Sequence, residues 1–386
     1  MYNPLKAHQA LKGKIEVISR VKIESKDDLS TYYTPGVAEP CLEIEKNPEL
    51  SYLYTRRQNL IAVITDGSAV LGLGNIGPLA SMPVMEGKAM LFKTMANVDA
   101  IPLSIDTQDT SEFIKTITYL SKNFAGINLE DISAPRCFEI EKALSDSLDI
   151  PVFHDDQHGT AIVLFAALTN ALKLVNKTID QVKIVINGAG AAGTAIAEFL
   201  ISAGAKHIIV CDKNGILNAH DKSLSPSHLE LAKKTNHVQI IGNLQDAMIG
   251  SDVFIGVSKG NLVTKHMVNS MNDKPIIFPM ANPVPEITVE DLKDTKAYII
   301  GTGSSKYPNQ INNLLAFPGL FRGTLDSHAK KITKEMMLAA SLAIADAITP
   351  TIHQIVPDAL DPNVHKLVAQ AVYHKAIEQK IQKTHE

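Results

Sequence analysis

An apolar run of strand length near the middle of the chain leads directly into a glycine-rich turn with the spacing G-x-G-x-x-G. The run is Val182 to Asn187, and the turn is Gly188-Ala189-Gly190-Ala191-Ala192-Gly193. The first two glycines permit a tight turn and the close approach of a pyrophosphate, and the third lets the next helix lie against the strand. That helix, Thr194 to Ala203, has one apolar face. The pattern predicts a Rossmann-type dinucleotide-binding unit.

A second apolar run, His207 to Cys211, ends at Asp212, 24 residues after Gly188. An acid at this distance binds the ribose 2′-hydroxyl of a dinucleotide, and its charge would repel a 2′-phosphate, which favours NAD. Lys213 and Asn214 follow immediately and could accommodate a phosphate, so NADP stays open. A purely structural turn is the alternative, but strand, helix and acid in the expected order favour dinucleotide binding.

Length and composition exclude several classes of protein. A chain of 386 residues exceeds the usual size of a single core, which predicts two domains. A formal charge of -4 without a basic run disfavours nucleic acid as a partner. Neither a signal-peptide core nor an apolar stretch of membrane-spanning length is present, so we expect no membrane partner and a cytoplasmic location. Three cysteines without a C-x-x-C pair indicate a reducing compartment.

Strand-like and helix-like runs alternate along the chain, which predicts an α/β fold with helices packed on mostly parallel sheets. A long apolar helix, roughly Gly159 to Val175, leads into the dinucleotide unit. We therefore predict an N-terminal α/β domain over residues 1–155. Residues 156–386 are expected to form a doubly wound dinucleotide-binding domain that ends in amphipathic helices.

Polar clusters in the first half are candidates for chemistry. Tyr32 to Ala38 reads as an extended segment closed by Pro and Gly, and the alternative is a turn with a tyrosine packed beneath it. Asp66 to Gly77 contains four glycines after a predicted strand, which suggests a loop against a ligand. Lys88 begins an otherwise apolar helix, where desolvation would lower its pKa and make it a general base. The alternative is an exposed lysine whose stem covers the helix.

Acidic residues follow two predicted strands, at Glu130-Asp131 and at Asp155-Asp156. Active sites of α/β proteins are built at such strand ends. Converging carboxylates without a thiolate or a zinc-spaced histidine pair favour a hard cation such as Mg²⁺ or Mn²⁺. The alternatives are helix capping for the second pair and a surface acidic pair for the first.

Together these clusters resemble the malic enzyme family, and the match extends over nearly the whole chain. Eight motifs occur in the family's order: Y-T-P-G-V-A, T-D-G-S-A-V-L-G-L-G-N-I-G, M-E-G-K, L-E-D-I, H-D-D-Q-H-G-T-A, N-G-A-G-A-A-G, A-N-P-V-P-E and N-N-L-L-A-F-P-G. The chain resembles the short bacterial form and departs from the longer eukaryotic form at Ala69, where that form has a substrate-binding arginine. Loop amides between Gly72 and Gly77, or Lys88, are the candidates to replace it.

The resemblance implies oxidative decarboxylation of malate to pyruvate and CO₂, with NAD or NADP and with Mg²⁺ or Mn²⁺. It implies that Tyr33 is the general acid and Lys88 the general base, and it also implies a homodimer or a multiple of dimers. The implied metal ligands are Glu130, Asp131 and Asp156, and the implied substrate-carboxylate ligands are Asn282 and Asn313, with Asn312 less certain. The alternatives are a malolactic-type or non-decarboxylating 2-hydroxy acid enzyme of the same fold, and a nucleotide sensor without catalysis.

Overall fold

The first of two β-sheets consists of four parallel strands. A computed structural model describes residues 3–70 and 72–382 of the chain. The strand order in the first sheet is β2-β1-β3-β4, and its strands are β1 (Leu60–Thr65), β2 (Asp99–Ser104), β3 (Gly126–Leu129) and β4 (Val152–His154). β3 and β4 are aligned so that Leu129 lies opposite His154. The acidic pairs that follow these two residues therefore begin at the same edge of the sheet.

The second sheet has six strands in the order β10-β9-β8-β5-β6-β7. Its strands are β5 (Lys183–Asn187), β6 (His207–Asp212), β7 (Gly215–Ile216), β8 (Val253–Gly256), β9 (Ile276–Pro279) and β10 (Ile299–Ile300). All pairs are parallel except that of β6 with the short β7. The predicted doubly wound α/β architecture is confirmed.

Sixteen α-helices connect and cover the sheets within the described residues. They are α1 (Pro4–Leu11), α2 (Lys26–Tyr32), α3 (Ala38–Lys46), α4 (Ser51–Tyr54), α5 (Gly77–Ala96), α6 (Thr110–Leu120), α7 (Arg136–Ser147), α8 (Asp155–Val175), α9 (Ala191–Ser202), α10 (Pro226–Lys234), α11 (Leu244–Met248), α12 (Lys265–Asn269), α13 (Val289–Leu292), α14 (Phe317–Asp326), α15 (Lys334–Asp346) and α16 (Pro362–Glu378).

Three local expectations were wrong. The segment around Tyr32 is not extended, because Tyr32 closes α2, which the reciprocal hydrogen bonds of Ser25 and Asp28 start. α5 begins ten residues before the predicted start near Gly87, since Pro78 occupies its first turn, where the missing N–H costs nothing. α8 begins at Asp155 and not at Gly159, so both acids lie in its first turn.

α8 is the central helix of the molecule and packs against α9 and α15. It is long and apolar enough to cross a membrane, but 72% of its most apolar window is buried inside the protein. Burial of that kind is expected of a core helix. The three cysteines are unpaired, with Cys137 and Cys211 buried and Cys41 exposed.

The C-terminal helices connect the two halves of the chain. Phe321 of α14 packs edge to face on Phe92 of α5 at 5.2 Å and on Phe153 of β4 at 5.9 Å between ring centroids. Edge-to-face pairs add about 0.5–1.5 kcal/mol to the burial of the rings. The end of the chain therefore stabilises the first sheet. The division of the sequence into two domains at residues 155 and 156 remains a proposal.

The N-terminal helices lie outside the core. None of the residues of α1, α2 or α3 is buried. A link to the remainder of the chain is made by Lys14, whose backbone N–H donates to the Glu86 carboxylate at 3.1 Å. Large apolar side chains are exposed along this segment: Leu5, Leu11, Val17, Ile18, Ile23, Leu29, Tyr33, Leu42 and Leu53. This number of exposed apolar side chains makes the segment a candidate contact surface.

Candidate active site

The structure brings the three implied metal ligands together. Glu130 and Asp131 follow β3, and Asp156 lies one residue into α8, directly after β4. One carboxylate oxygen from each lies within 4.8 Å of the others. Asp156 also accepts the backbone N–H of Asp131 at 2.8 Å, which fixes the two strand ends relative to each other. The parallel alignment of β3 and β4 thus creates a compact acidic centre.

The capping alternative for the second acidic pair does not hold. His154 is the N-cap residue of α8, and no side-chain hydrogen bond caps this helix. Asp155 is instead buried beneath the site, where it accepts from the Lys88 ammonium at 2.7 Å and from the Asn313 amide at 2.9 Å. A side chain on Gly159 would overlap the Asp155 carboxylate, so the glycine makes room for it. The sequence interpretation had missed this role of Asp155.

Lys88 extends from α5 into the acidic centre. Its ammonium lies 2.7 Å from Asp155 and 3.0 Å from Glu130, and 4.1 Å above the ring of Phe317. Burial alone would lower the pKa of Lys88, but the Asp155 and Glu130 carboxylates outweigh it and raise that pKa above its ordinary value. The expectation of a lowered pKa is therefore wrong for this arrangement, because desolvation acts here together with two close counter-charges.

Glu130 shows the same surplus of negative charge. Burial raises the pKa of Glu130 well above its ordinary value, Lys88 opposes this, and the neighbouring Asp156, Asp155 and Asp131 add to it. The second oxygen of Glu130 accepts from the buried Asn128 amide at 2.8 Å, which orients the carboxylate. Four carboxylates lie around one ammonium, and a divalent cation would relieve their mutual repulsion. The oxygen-only donor set fits Mg²⁺ or Mn²⁺.

The glycine loop after β1 contacts the segment that follows β3. Gly67, Gly72, Gly74 and Gly77 all have φ between 69° and 78°, a conformation that favours glycine. Leu71 of this loop lies outside the described residues. The backbone N–H of Ala69 donates to the Asp131 carbonyl at 2.9 Å. The position that carries an arginine in the eukaryotic form thus lies beside the metal-ligand segment.

The two asparagines that the resemblance implies as substrate ligands lie in different environments. Asn282 follows β9 and is exposed, and its amide donates weakly to the Met280 carbonyl at 3.3 Å. Asn313 donates to Asp155 and accepts from the Thr160 hydroxyl at 3.1 Å. Asn312 instead caps the short helical turn that follows it. Asn282 is thus accessible to a ligand, whereas Asn313 is joined to the Lys88 site through Asp155.

Tyr33 lies on the surface of the single chain. Its side chain is 65% exposed at the end of α2. No hydrogen bond joins its hydroxyl to Lys88 or to the acidic residues in the described part of the chain. Tyr33 lies on the same exposed apolar segment as the other N-terminal side chains.

The glycine turn after β5 has the geometry of a pyrophosphate site. A side chain on Gly193 would strike the Gly188 carbonyl and Val257, so only glycine allows α9 to lie this close. At Gly190, the N-cap of α9, a side chain would meet nothing within 4 Å, which leaves space beside the backbone. The N–H groups of the first turn, at Ala191 and Ala192, face this space at the positive end of the helix dipole.

Asp212 ends β6 at the same edge of the sheet as the Gly188 turn. Its carboxylate accepts the Asn214 N–H at 2.7 Å. His228 of α10 lies between the two elements, with Nε2 3.1 Å from the Ala189 carbonyl and Nδ1 3.8 Å from Asp212. The sequence interpretation had missed His228, which no motif marks. Ala189, Asp212 and His228 surround the place where an adenosine ribose would lie.

Fold and site together define an enzyme with a dinucleotide site on one sheet and a carboxylate-lined cation site on the other. The family model of the malic enzyme N-terminal domain matches residues 12–145, and that of the malic enzyme NAD binding domain matches residues 157–377. The chain belongs to the malic enzyme family, whose members oxidatively decarboxylate malate with NAD or NADP.

Individual relatives agree with this assignment. The NAD-dependent malic enzyme of Geobacillus stearothermophilus is 52% identical over 87% of this chain and 70% of its own length. The bifunctional malic/malolactic enzyme of Bacillus subtilis is 48% identical over 97% of this chain and 92% of its own. The crystal structure of the NAD-dependent malic enzyme from Thermotoga maritima has a TM-score of 0.94 and 48% identity, covering 97% of this chain and 99% of that one. Other relatives of similar identity are named NADP-dependent malic enzymes.

Proposed function

We propose that this chain oxidises and decarboxylates L-malate to pyruvate and CO₂, with Lys88 as the base that takes the proton from the C2 hydroxyl. The observation that carries the proposal is the position of the Lys88 ammonium, 3.0 Å from Glu130 at the edge of the acidic centre. A substrate oxygen bound at that centre would lie within reach of Nζ, as general-base catalysis requires.

Glu130, Asp131 and Asp156 would hold Mg²⁺ or Mn²⁺. Held by these residues, the cation would supply Lewis-acid chemistry to the substrate and would offset the negative charge that raises the pKa of Lys88. Asp155, which is not among these ligands, keeps the ammonium oriented toward the centre. Asn282 would hold a substrate carboxylate, and Asn313 would orient Asp155 in addition to the role first proposed for it.

Asp156→Ala is expected to weaken the apparent affinity for Mn²⁺ strongly. Loss of a residue that only supports a ligand costs roughly 10- to 100-fold in metal affinity, and loss of a ligand itself should cost more. The substitution removes one of three carboxylate ligands and also the acceptor of the Asp131 N–H. Activity is titrated against Mn²⁺ concentration, with Asp146→Ala as the control, because Asp146 pairs with Lys142 on the surface of α7. An unchanged Mn²⁺ midpoint would place the cation elsewhere.

The later steps need a proton at C3 of the enolate that remains when CO₂ leaves. Tyr33 is the proposed donor, in a relay with Lys88 that returns the proton taken from the hydroxyl. Since Tyr33 is exposed on an apolar surface in the single chain, we propose a homodimer in which Tyr33 completes the Lys88 site of the second chain. Burial of the exposed apolar N-terminal side chains would drive the association.

The cofactor would bind with its pyrophosphate on the turn from Gly188 to Gly193 and its adenosine ribose against Asp212. The nicotinamide would accept the hydride from C2 of malate. We propose a preference for NAD because no lysine or arginine of the described residues forms an ion pair with Asp212. Its recorded charged neighbour is His228, whose Nδ1 lies 3.8 Å from the carboxylate. Relatives of similar identity carry names with either cofactor, so the proposed preference rests on Asp212 and not on the relatives.

Asp212→Ala is expected to lower kcat/KM with NAD by about 10- to 100-fold, the cost of a charge-assisted hydrogen bond of roughly 1.5–3 kcal/mol. With NADP, kcat/KM should stay level or rise, since the charge repulsion is gone. Both values are measured in steady state with malate and Mn²⁺. Equal losses with both cofactors would contradict the NAD preference and point to Lys213 and Asn214 as an NADP-binding pair.

A malolactic-type conversion, in which malate gives lactate and the reduced cofactor is not released, is the second candidate. The name of the Bacillus subtilis relative includes this activity. We further propose that the protein acts in the cytoplasm, on a small-molecule substrate, without nucleic acid or membrane as a partner. A steady-state assay with malate, Mn²⁺ and each cofactor in turn tests the proposed function, and the absence of free NADH or NADPH would contradict it.

A further inference from the structure

Glu286 is a fully buried carboxylate that the proposed reaction does not use. It ends the A-N-P-V-P-E motif and is 0% exposed. No lysine, arginine or histidine of the described residues forms an ion pair with it, and burial raises the pKa of its carboxyl group. Burying an acid without a counter-charge is costly unless hydrogen bonds compensate. Hydrogen bonds must therefore offset the cost of burying the Glu286 carboxylate.

Two backbone N–H groups satisfy Glu286, and they come from different loops. Ser258 donates to one oxygen at 3.0 Å, and Ala281 donates to the other at 3.1 Å. Ser258 lies two residues after β8, and Ala281 lies two residues after β9. These strands are adjacent and parallel, with Gly256 opposite Pro279. Glu286 therefore connects equivalent points at the carboxyl ends of two neighbouring strands.

Each loop leads to a different ligand site. The hydroxyl of Ser258 accepts from the Asn187 amide at 2.9 Å, and Asn187 immediately precedes the Gly188 turn. A side chain on Gly188 would press on Ser258, so the turn lies directly against this loop. On the other side, Ala281 immediately precedes Asn282. A continuous chain of contacts thus joins the dinucleotide turn to the proposed substrate asparagine.

The carboxyl group of Glu286 packs directly against Gly256 of β8. A side chain on Gly256 would overlap the Glu286 carboxyl group. The carboxylate thus occupies the space that the glycine provides beside β8, and both its oxygens face backbone donors. Packing against Gly256 and two backbone hydrogen bonds together hold the Glu286 side chain in one position. The positioning of binding groups requires such fixed supporting residues.

We propose that Glu286 is a positioning residue that fixes the loop after β8 and the loop after β9 relative to each other, so that cofactor binding and malate binding strengthen each other. The inference rests on the proposed function, because it takes Gly188 to contact the cofactor and Asn282 to contact malate. By linkage, each ligand must then tighten the binding of the other by the same factor.

The test is a fluorescence titration with NADH, in the presence of Mn²⁺, with and without saturating L-malate. No turnover occurs, because malate cannot reduce a cofactor that is already reduced. Saturating malate is expected to lower the Kd of NADH by about fivefold or more in the wild-type protein. In Glu286→Gln this factor should fall to no more than about twofold. The amide nitrogen of the glutamine would face a backbone N–H, from which it cannot accept a hydrogen bond.

Glu290→Gln is the matched control. Glu290 lies four residues away, is exposed, and accepts only from the Tyr307 hydroxyl at 3.0 Å among its recorded hydrogen bonds. It removes the same charge without touching either loop, and it should retain the wild-type factor. A purely structural role of Glu286 would lower the melting temperature and leave the factor unchanged in protein that remains folded.

The inference is overturned if malate does not tighten NADH binding in the wild-type protein, or if folded Glu286→Gln keeps the full factor. If wild-type protein with Mn²⁺ binds neither NADH nor malate, the proposed function fails instead. Should Glu286→Gln not fold, Ser258→Ala breaks the contact with Asn187 and leaves the buried carboxylate in place. It is expected to reduce the factor by at least about half, and an unchanged factor would overturn the inference.

Discussion

Lys88→Ala is expected to lower kcat for malate oxidation by about 10²- to 10⁴-fold, the usual contribution of a general base. The substitution removes Nζ, which lies 2.7 Å from Asp155 and 3.0 Å from Glu130, and no other lysine is paired with these carboxylates in the described residues. The measurement is the initial rate of NADH formation at saturating malate, NAD and Mn²⁺.

Lys93→Ala is the control for this substitution. Lys93 lies on the same helix, is about half exposed, and pairs with Asp99 at 2.9 Å on the surface. Its loss should leave kcat nearly unchanged, and both variants should bind NADH as the wild-type protein does. If Lys88→Ala keeps more than about a tenth of wild-type kcat, Lys88 is not the base.

The second large effect concerns Tyr33. Tyr33→Phe alone should be almost inactive in complete turnover, like Lys88→Ala alone, because each removes one member of the proposed proton relay. Mixing the two variants and letting subunits exchange should restore activity to about a quarter of the wild-type level. Half of the dimers are then mixed, and each mixed dimer has one intact site of two.

Two outcomes would argue against this arrangement. No recovery after confirmed subunit exchange would mean that Tyr33 and Lys88 of the same chain act together. Substantial activity of Tyr33→Phe alone would remove Tyr33 from the mechanism. A pre-steady-state measurement separates the steps, because Tyr33→Phe should slow protonation of the enolate more than the initial formation of NADH.

The acidic centre could be predicted from sequence because it depends on local rules. Glu130 and Asp156 follow strands that the apolar pattern identifies, and the ends of parallel strands meet at one edge of a sheet. The Gly188 turn was equally accessible, since its glycine spacing has a steric cause that the structure shows at Gly193. Where a residue's position follows from its own strand or turn, the sequence was sufficient.

Other features depend on contacts between distant segments and could not be predicted. Asp155 looks like a helix cap in the sequence, and only the approach of Lys88, 67 positions earlier, shows that it is a buried partner. The direction in which the pKa of Lys88 is shifted depends on the same contact with Asp155. No motif marks His228, and the A-N-P-V-P-E motif does not show the role of Glu286, because His228 contacts Ala189 and Glu286 contacts Ser258, which lie far away in the sequence.

The N-terminal segment illustrates a further limit. Most of its exposed apolar residues lie on α1, α2 and α3, which bury no residue, or in the connections next to them, so periodicity within one chain gives no sign of where they pack. The resemblance placed Tyr33 in the mechanism, whereas the single chain leaves it on the surface. Both facts are compatible if a second chain contributes to the site, and this is why the mixing experiment is informative.

The central claim is that this chain couples malate oxidation to decarboxylation and releases the reduced cofactor. The most direct test is to incubate the purified protein with L-malate, NAD and Mn²⁺ and to quantify NADH, pyruvate and lactate in the same sample. We expect free NADH and pyruvate in equal amounts, without lactate, and loss of both products when EDTA removes the cation. Lactate formed without free NADH, or products that persist in EDTA, would contradict the account.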